Sequence, residues 1–562
     1  MASTFVPAVE WLGRYERRWL RADVVAGLTT AAVVIPKAMA YATIAGLPVQ
    51  VGLYTALVPM AVYAALGTSR VLSVSTTTTL AILSASALAS AVPTGDPAAL
   101  VTASATLAVM TGLILLLARL LRLGFVANFI SEPVLTGFKA GIGLVIVVDQ
   151  LPKVLGIHID KAGWFRDVGS ILRHLPEASL PTLTVGLATL AVLVGLEVLA
   201  PRLPAPLLVM AGAVAASAFL GLQASGVSVV GPIPGGLPPL LRPDLSLAES
   251  LWPAAVAIAL MSFTETIAAG RAFSAPGEPR PDPNQELGAT GVANALGGLL
   301  GAMPGGGGTS QTAVNRKAGA RTQVSGVVTS GTTLATLLFL APVMALIPHA
   351  ALAGVVIATS VGLINPVAFR EIRLFRTREF RWAVVACVGV VLLGTLKGIM
   401  VAVVLSMLSL FQLANNPPVH VMRRKRGTDA FRPTSTKHPD DESFPGLLIL
   451  RTEGRVYFGN AQTIGDRMWP LVRATRPQVL LLDCGGIPGL EFTALKMLGE
   501  AEARLRDEGV ELWVAALSPE ALDLFRRSPL AERLGRDRMF FTVPQAVARY
   551  EQRAGTAAED RA

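Results

Sequence analysis

The feature that most constrains this chain is a glycine-rich polar segment between two apolar runs, each long enough to lie in a membrane. The segment is Gly301–Arg321, GAMPGGGGTSQTAVNRKAGAR, and it contains four consecutive glycines, Gly305–Gly308. We expect the glycines to leave backbone N–H groups uncovered, and Thr309, Ser310 and Thr312 to open a short helix. A helix N-terminus carries partial positive charge and binds anions. The segment therefore predicts an anion site.

Two environments suit such a segment. Non-helical backbone is tolerated at membrane depth only where protein buries it or water reaches it, which favours the lining of a site. The alternative is a cytoplasmic glycine-rich loop. Asn315, Arg316, Lys317 and Arg321 follow closely and are typical of cytoplasmic anchors.

Composition indicates the class of protein that surrounds this segment. Of the 562 residues, 52% are hydrophobic and only 15% are charged, which is typical of a polytopic membrane protein. The formal net charge of +10 would suit a nucleic-acid partner. However, the basic residues lie at the ends of apolar runs, as positive-inside anchors do, so nucleic-acid binding is not predicted. Cys387 and Cys484 are far apart and offer no disulfide framework or metal-ligand spacing, and no cofactor is predicted.

The apolar runs predict about fourteen membrane spans in two sets of seven. Residues 1–21 end in arginines and form a predicted cytoplasmic segment, residues 22–414 form the membrane domain, and both termini are predicted to be cytoplasmic. Besides the glycine-rich segment, the spans are Val24–Ala45, Val51–Gly67, Leu72–Ala91, Ala98–Leu117, Asn128–Val148, Pro181–Leu199, Ala205–Leu222, Trp252–Phe273, Leu287–Ala302, Val324–Ile347, Ala351–Asn365, Trp382–Leu396 and Ile399–Ala414.

Two pairs of unusual residues recur at nearly one offset along the chain. Hydroxyl residues crowd the start of the third span around Ser75, as they do around Thr309 in the second half. Lys37 and Glu265 are ionisable residues near the middle of apolar runs, and their separation in sequence is nearly that of Ser75 and Thr309. These pairs predict an inverted repeat whose interrupted helices meet at the bilayer midplane, as in secondary transporters.

Lys37 and Glu265 have several interpretations. A charge at the bilayer centre costs at least about 2.5 to 3.5 kcal/mol on insertion scales, so each side chain should face a cavity or a partner. Glu265 either takes a proton or forms an ion pair that holds two helices together. Lys37 either offers charge to an anion, keeps Glu265 ionised, or snorkels to the interface. The residues alone leave these roles open.

After the last span the composition changes. Residues 415–445 are basic, then polar and acidic, and are predicted to be a linker. Within residues 446–562, Leu447–Arg451, Arg455–Gly459, Val479–Asp483 and Leu512–Ala516 are predicted strands, and Ala461–Ala474, Glu491–Asp507 and Pro519–Arg527 are predicted helices. This alternation predicts a small α/β sheet covered by helices. It has no nucleotide-binding glycine fingerprint or catalytic triad spacing, so a regulatory or packing module is expected rather than an enzyme.

Three segments carry a resemblance to a known family. They are VVIPKAMAYATIAGLPVQVGLY (Val33–Tyr54), FVANFISEPVLTGFKAG (Phe125–Gly141) and NQELGATGVANALGGLLGAMPGGGGTSQTAVNRKAGART (Asn284–Thr322). Through these segments the chain resembles the sulfate permease (SulP) anion transporters that carry a C-terminal STAS domain.

The resemblance implies a fold and a site. The fold is a helical membrane protein with a seven-plus-seven inverted repeat, in which a core domain moves against a gate domain, followed by a cytoplasmic STAS domain over residues 446–562. Anions would bind between the facing N-termini of the third and tenth helices, flanked by the first and the eighth. By this resemblance the pocket residues are Lys37, Tyr41, Ser75, Thr76, Thr77, Glu265, Gly308, Thr309, Ser310 and Gln311.

The chain departs from the family pattern at three places. Lys37 stands where many members have Gln, and Gln311 stands where animal relatives have Arg, so the positive charge is expected to have moved across the pocket. In the STAS domain, Glu491-Phe492-Thr493 replaces the Asp-Ser of phosphorylatable relatives. Phosphorylation control at that position is therefore not expected.

The predicted function is secondary active transport of a small anion of the sulfate, bicarbonate or dicarboxylate class, in symport with protons or sodium ions. Glu265 is the predicted coupling residue, and no metal is assigned. Two alternatives are an uncoupled anion channel and a membrane-bound sensor that signals through the STAS domain. The Lys37 and Glu265 pair argues against the sensor. The predicted setting is a homodimer in the lipid of the inner (plasma) membrane.

Overall fold

The computed structural model describes residues 6–13, 15–128, 131–159, 163–200, 203–233, 235–275 and 278–559. The chain divides into two compact units, Met1–Ser406 and Met407–Ala562, and each is described by itself.

The first unit consists of helices and two very short strands. Its elements are α1 (Pro7–Gly13), α2 (Leu20–Ile44), α3 (Val49–Leu66), β1 (Val74–Ser75), α4 (Thr78–Ala91), α5 (Pro97–Leu120), α6 (Glu132–Leu155), α7 (Trp164–His174), α8 (Leu180–Leu199), α9 (Ala205–Leu220), α10 (Ala248–Ala272), α11 (Pro283–Leu299), β2 (Gly306–Gly307), α12 (Thr309–Lys317), α13 (Val324–Ala335), α14 (Ala341–Met344), α15 (His349–Val361), α16 (Pro366–Phe375), α17 (Thr377–Leu393) and α18 (Thr395–Asn415), whose last residues belong to the second unit.

Many of these helices suit a bilayer. Across the described part of the chain, eight helical segments are long and apolar enough to cross a membrane by length and composition, and three shorter apolar helices accompany them. Large apolar side chains such as Leu199 and Phe219 are almost fully exposed on the outer surface. Such a surface suits lipid rather than water. This is the helical membrane architecture that the sequence predicts, whereas the seven-plus-seven repeat stays a prediction.

Two groups of helices have extensive contacts, and α2 also packs on α9 and α15. In one group α5 packs on α10 and α11, α2 packs on α3, α12 and α13, and α11 packs on α3. In the other, α6 packs on α8, α15 and α17. Small residues allow the closest approaches: a Cβ atom at Gly112 of α5 would lie 2.5 Å from the backbone nitrogen of Ala295 in α11. Close backbone approach at small residues is typical of membrane helix packing.

Strands β1 and β2 interrupt the helical pattern inside the first unit. They pair antiparallel, with Val74 opposite Gly307 and Ser75 opposite Gly306. The third predicted span, Leu72–Ala91, is therefore not helical from its start, and α4 begins only at Thr78. The reason is that the backbone around Val74 and Ser75 pairs with a strand that is very distant in sequence.

The second unit is an α/β domain. After α18 its elements are β3 (Val419–Arg424), β4 (Phe431–Pro433), β5 (Leu447–Thr452), α19 (Ala461–Thr475), β6 (Val479–Asp483), α20 (Phe492–Asp507), β7 (Glu511–Ala515), α21 (Pro519–Arg526), α22 (Pro529–Leu534), β8 (Met539–Phe540) and α23 (Val543–Glu559). The strand order is β4-β3-β5-β6-β7-β8, with β5 to β8 parallel and β3 antiparallel to both of its neighbours.

The sheet has an apolar core on both faces. Along β6, Leu480 and Leu482 pack with α19 to α22 on one face, while Val479 and Leu481 pack with α23 on the other. A strand that is buried on both faces reads as a continuous apolar run, and VLLL at the start of β6 is such a run.

Two details of this domain differ from the sequence prediction. The predicted strand over Arg455–Gly459 is wrong for the described chain, where only Val456 forms a single bridge, to Leu490. The predicted linker over residues 415–445 contains β3 and β4, which belong to the sheet. Their composition is polar because most of their side chains are only partly buried at one edge of the sheet.

Candidate functional site

The strand pair β1–β2 brings two helix N-termini into one region. Each strand leads almost directly into a helix, β1 into α4 and β2 into α12. Because the strands run antiparallel, the two helices lead away in opposite directions and both of their N-termini lie beside the strand pair. Partial positive charge from both helices therefore points toward the same place.

Polar side chains and backbone groups hold the four glycines Gly305–Gly308, here called the glycine strand, in place. Three of its N–H groups donate to acceptors inside the protein: Gly305 to Asn294 Oδ1 (2.8 Å), Gly307 to Thr266 Oγ1 (2.9 Å) and Gly308 to the Ser73 carbonyl oxygen (3.0 Å). The expectation that these glycines leave their N–H groups uncovered is therefore wrong. Glycine is needed because the strand is packed closely, and a Cβ atom at Gly307 would lie 2.6 Å from Thr266 Cα.

The N-terminus of α12 is open. Its N-cap residue is Gly308, which provides no capping side chain, and the first two side chains, Thr309 and Ser310, are exposed. No acceptor for the N–H groups of Thr309, Ser310 and Gln311 is found among the residues that the structure describes. The Nζ atom of Lys37 in α2 lies 3.4 Å from Ser310 Oγ. This end of the site therefore combines hydroxyl groups with a full and a partial positive charge.

The N-terminus of α4 is closed by its own side chain. The Thr77 hydroxyl accepts a hydrogen bond from the Leu80 N–H group (3.3 Å) and donates one to Glu265 Oε2 of α10 (2.8 Å). Glu265 is buried. The partial positive charge of α4 therefore already faces a carboxyl group of the protein.

A side-chain bridge connects the two interrupted segments. Ser75 Oγ donates to Gln311 Oε1 (2.9 Å), and Gln311 Nε2 donates to the Ser73 carbonyl oxygen (3.4 Å). Ser75, Thr76 and Gln311 are all buried. The Thr76 hydroxyl has no hydrogen-bond partner within the described ranges. In this structure these three residues support the strand pair from within, while Thr309 and Ser310 reach its open side.

Tyr41 and Lys139 complete the surroundings. The hydroxyl of Tyr41, one turn after Lys37 in α2, lies near Thr78 and Thr359. No ion pair joins Lys37 to Glu265 in the part of the chain that is described. The cation whose charge acts on Glu265 is instead Lys139 of α6. The structure therefore brings all the predicted residues to one region, with Lys37 and Glu265 at separate places in it.

Sequence reasoning missed the residues that support this region. Ser262 and Thr266 of α10 flank Glu265 and bond to the glycine strand, as Asn294 of α11 does. A signal existed, because SFTET (262–266) places three hydroxyl residues around the buried carboxyl group inside an apolar run. Lys139 lies inside the predicted span Asn128–Val148, and its charge within an apolar run is the signal that could have found it.

Helix ends that meet at irregular backbone inside a helical membrane unit are typical of the substrate sites of transporters. The comparison with known families agrees. Residues 20–389 match the sulfate permease family, and residues 438–546 match the STAS domain. The chain belongs to the sulfate permease family, and it is an anion transporter, not an enzyme. The predicted resemblance is confirmed.

Similar proteins carry related names. A probable sulfate transporter of Mycobacterium tuberculosis is 34% identical over 553 residues, which cover 98% of each chain. High affinity sulfate transporter 1 of Stylosanthes hamata is 29% identical, over 97% of this chain and 86% of that protein.

Solved structures share the fold. The structure of SLC26A9 matches 99% of this chain and 94% of its own with a TM-score of 0.90 at 21% identity. The transmembrane domain of the cyanobacterial bicarbonate transporter BicA matches 69% of this chain and 98% of its own, with a TM-score of 0.62 at 23% identity. The predicted fold of apolar membrane helices followed by an α/β STAS domain is confirmed.

Proposed function

We propose that this protein is a secondary active transporter that carries a small divalent or monovalent oxyanion, with sulfate as the first candidate. The proposed site lies between the N-termini of α4 and α12. In this proposal Lys37, Thr309 and Ser310 contact the anion at the α12 end, and the residues that form its surroundings are Tyr41, Ser75, Thr76, Thr77, Gly308 and Gln311. Sulfate comes first because relatives that align over nearly the whole chain are named sulfate transporters. Bicarbonate and dicarboxylates are the next candidates.

The observation that carries this proposal is the open N-terminus of α12. Thr309 and Ser310 are exposed there, and Lys37 Nζ lies 3.4 Å from Ser310 Oγ. Uncapped N–H groups, hydroxyl donors and an ammonium group are the donors that an oxyanion needs. The Glu197 carboxylate of α8 also acts on Lys37, but the groups that meet at the α12 end itself are donors and an ammonium group.

A panel of radiolabelled anions in proteoliposomes tests the substrate. The purified protein should accumulate sulfate above its external concentration when an inward proton gradient is imposed. Accumulation against a concentration gradient separates a carrier from an uncoupled channel, which lets the anion only equilibrate. If sulfate, bicarbonate and dicarboxylates all fail to enter, the proposed substrate class is wrong.

We further propose that Glu265 is the residue that links anion movement to protons. It is buried beside the anion site, and the Thr77 hydroxyl donates to its Oε2 atom at 2.8 Å. A buried carboxyl group that gains and loses a proton changes the charge of the site by one unit. The approach of the anion and the protonation of Glu265 would then favour each other.

Substitution Glu265→Gln tests the coupling. The amide keeps the size of the side chain and can accept from Thr77, but it does not titrate. We expect sulfate binding to persist, while the stimulation of uptake by an inward proton gradient falls from several-fold to none. The control is Glu278→Gln, because Glu278 pairs with Arg316 outside the site. Unchanged proton stimulation in Glu265→Gln would show that another group couples, and a response to a sodium gradient alone would favour sodium symport.

The arrangement in the membrane is also a proposal. We place both termini in the cytoplasm, since Arg17, Arg18 and Arg21 lie at the start of the first membrane helix. We also propose a homodimer in which the STAS domain serves assembly, because every candidate site residue precedes residue 407. A chain that ends at Asn415 should still bind sulfate. It should either no longer form dimers or be produced in a smaller amount. A folded truncated protein that binds no sulfate would contradict this.

A further inference from the structure

Exposed phenylalanines mark one edge of the STAS sheet. Phe458 follows β5, Phe492 follows β6 and Phe541 follows β8, and their side chains are 70%, 82% and 82% exposed. Because β5 to β8 are parallel neighbours, the loops after their carboxyl ends lie along the same edge of the sheet. We call these three side chains the aromatic edge. Large aromatic side chains with this exposure, gathered at one edge, indicate a binding surface.

The last turn of α18 is attached to this same edge. Tyr457 Oη donates to Asn415 Oδ1, and Asn460 Nδ2 donates to the carbonyl oxygen of Ala414 (3.0 Å). The ring of Tyr457 stands edge-on to the ring of Phe458, with 5.5 Å between their centroids. Only the side chain of Tyr457 therefore separates the ring of Phe458 from the last residue of this apolar helix.

The connection also includes the next loop and the start of the sheet. The Glu491 N–H group donates to the Val456 carbonyl oxygen (3.1 Å), so that Phe492 follows directly after a residue bound to the β5 loop. Strand β3, the first after α18, pairs Val419 with Thr452 at the carboxyl end of β5. The carboxyl ends of the parallel strands are thus the side of the sheet from which α18 departs.

The surface of α18 leads to the aromatic edge. Its last turns expose Met407, Leu408, Leu410 and Phe411, each about half. These residues lie at the end of one of the three shorter apolar helices, and exposed apolar side chains of this kind suit lipid better than water. Tyr457, which bonds to the last residue of this helix and contacts the ring of Phe458, brings Phe458 close to the end of the helix.

We propose that the aromatic edge is a membrane-binding surface, which places the phenylalanine side chains in the interfacial layer of the bilayer. Exposed rings beside the end of a membrane helix are suited to that layer. The charge of the edge does not favour anionic lipid, because Arg455 lies 3.9 Å from both Glu491 and Glu520. Binding therefore rests on insertion of the rings, and zwitterionic lipid is sufficient.

The test uses the full chain in nanodiscs with single cysteines at the edge. In a Cys387→Ser background, Phe458→Cys, Phe492→Cys and Phe541→Cys are each labelled with an environment-sensitive fluorophore. The native Cys484 does not compete for the label, because it is buried and burial raises the pKa of its thiol to about 12. The matched control is Glu508→Cys, an exposed position at the opposite edge of the sheet, just before β7.

Lipids that carry a spin label near the head group report contact with the bilayer. We expect quenching at Phe458→Cys and Phe492→Cys at least about twofold stronger than at Glu508→Cys, with little change when anionic lipid replaces zwitterionic lipid. Equal quenching at all four positions would overturn the proposal. Crosslinking between two copies through Phe458→Cys or Phe492→Cys, with no lipid quenching, would also overturn it and would assign the edge to a second copy of the chain. All four positions are exposed, so labelling leaves the core intact, and Phe541→Cys gives an independent reading if Phe458→Cys disturbs Tyr457.

Discussion

The two helix N-termini beside the strand pair are built in opposite ways. At α4, the Thr77 hydroxyl caps the Leu80 N–H group and donates to Glu265, so the helix end and a carboxyl group belong to one hydrogen-bonded chain. At α12, Gly308 supplies no cap, Thr309 and Ser310 are exposed, and Lys37 adds positive charge.

We propose that this difference gives each helix end a separate task. The α4 end has its negative partner within the protein, so it suits a site that gains and loses a proton. The α12 end has an uncapped start, exposed hydroxyl groups and the Lys37 ammonium group, so it suits a site that gains and loses an anion. If both helix ends bind the anion, substitutions at either end should weaken anion affinity to a similar degree. If the tasks are separate, only substitutions at the α12 end should weaken it strongly.

The largest expected effect is on the strand pair that both ends share. In Gly307→Ala the new Cβ would lie 2.6 Å from Thr266 Cα, a backbone atom that cannot yield without moving α10. We expect this variant to lose about 3 kcal/mol of stability or more, together with all uptake. The measurement is thermal unfolding in detergent and sulfate uptake.

The neighbouring glycine provides the matched comparison. In Gly308→Ala the three atoms nearest to the new Cβ all belong to the side chain of Gln311, which can turn away. We expect a loss of about 1 kcal/mol of stability, because the hydrogen bond between Gln311 and Ser75 is broken when Gln311 moves. Equal loss of stability in the two variants would show that crowding against Thr266 is not what requires glycine.

The next effect separates the two ends by affinity. Lys37→Gln should weaken sulfate binding by roughly ten- to a hundredfold, because it removes a charge-assisted donor beside Ser310. Gln311→Ala should cost less than about tenfold, because Gln311 is buried and bonds to Ser75 and Ser73 rather than reaching the open side. Calorimetric titration with sulfate and with a monovalent anion measures both, and the divalent anion should suffer more.

The double variant Lys37→Gln/Glu265→Gln controls for a structural pair. The structure joins Lys37 to Ser310 rather than to Glu265. The unfolding temperature of Lys37→Gln should therefore equal that of the native protein, and the second substitution should not raise it. Full-strength sulfate binding by folded Lys37→Gln would refute the assignment of the anion to the α12 end.

A smaller effect concerns the α4 end. Thr77→Val keeps the shape of the side chain but removes both the cap on Leu80 and the donor to Glu265. We expect a loss of about 1 kcal/mol of stability, with sulfate affinity nearly unchanged. Thr77→Ser keeps the hydroxyl and should behave like the native protein. A drop in sulfate affinity as large as that of Lys37→Gln would mean that both helix ends hold the anion.

The smallest effect is expected from the bridge between the ends. Ser75→Ala removes the donor to Gln311 Oε1 while Gln311 keeps its bond to the Ser73 carbonyl oxygen. The expected loss is below about 1 kcal/mol of stability with little change in affinity, measured by unfolding and titration as above. A large loss of affinity would indicate that Ser75 contacts the anion directly.

Sequence patterns predicted the elements whose signal is local. Span positions came within a few residues for helices such as α3 and α5, because apolar runs report lipid burial directly. In the STAS domain, β6 was predicted at its observed bounds because its side chains are buried on both faces. The shared offset of the two residue pairs pointed to Lys37 and Glu265, which the fold brings to one region.

The patterns failed where a distant partner decides the structure. The stretch before Thr78 reads as part of a helix, yet its backbone pairs with Gly306 and Gly307. Likewise, the acceptors for the glycine N–H groups are Asn294, Thr266 and Ser73. The sequence near the glycines gives no signal that predicts these partners. Only the fold shows that Lys37 reaches Ser310 and that Lys139 is the cation near Glu265.

The strand pair also has a consequence for how the protein is made. Strand β1 emerges from the ribosome long before Gly306, the partner of Ser75. At the usual speed of translation the backbone of Val74 and Ser75 lacks its partner for roughly 10 to 50 s. Unpaired backbone is costly in lipid, so the third segment must wait in a protected place until the glycines arrive. The first half of the chain therefore carries an unpaired strand until the second half is made, whereas the second half finds its partner strand already made.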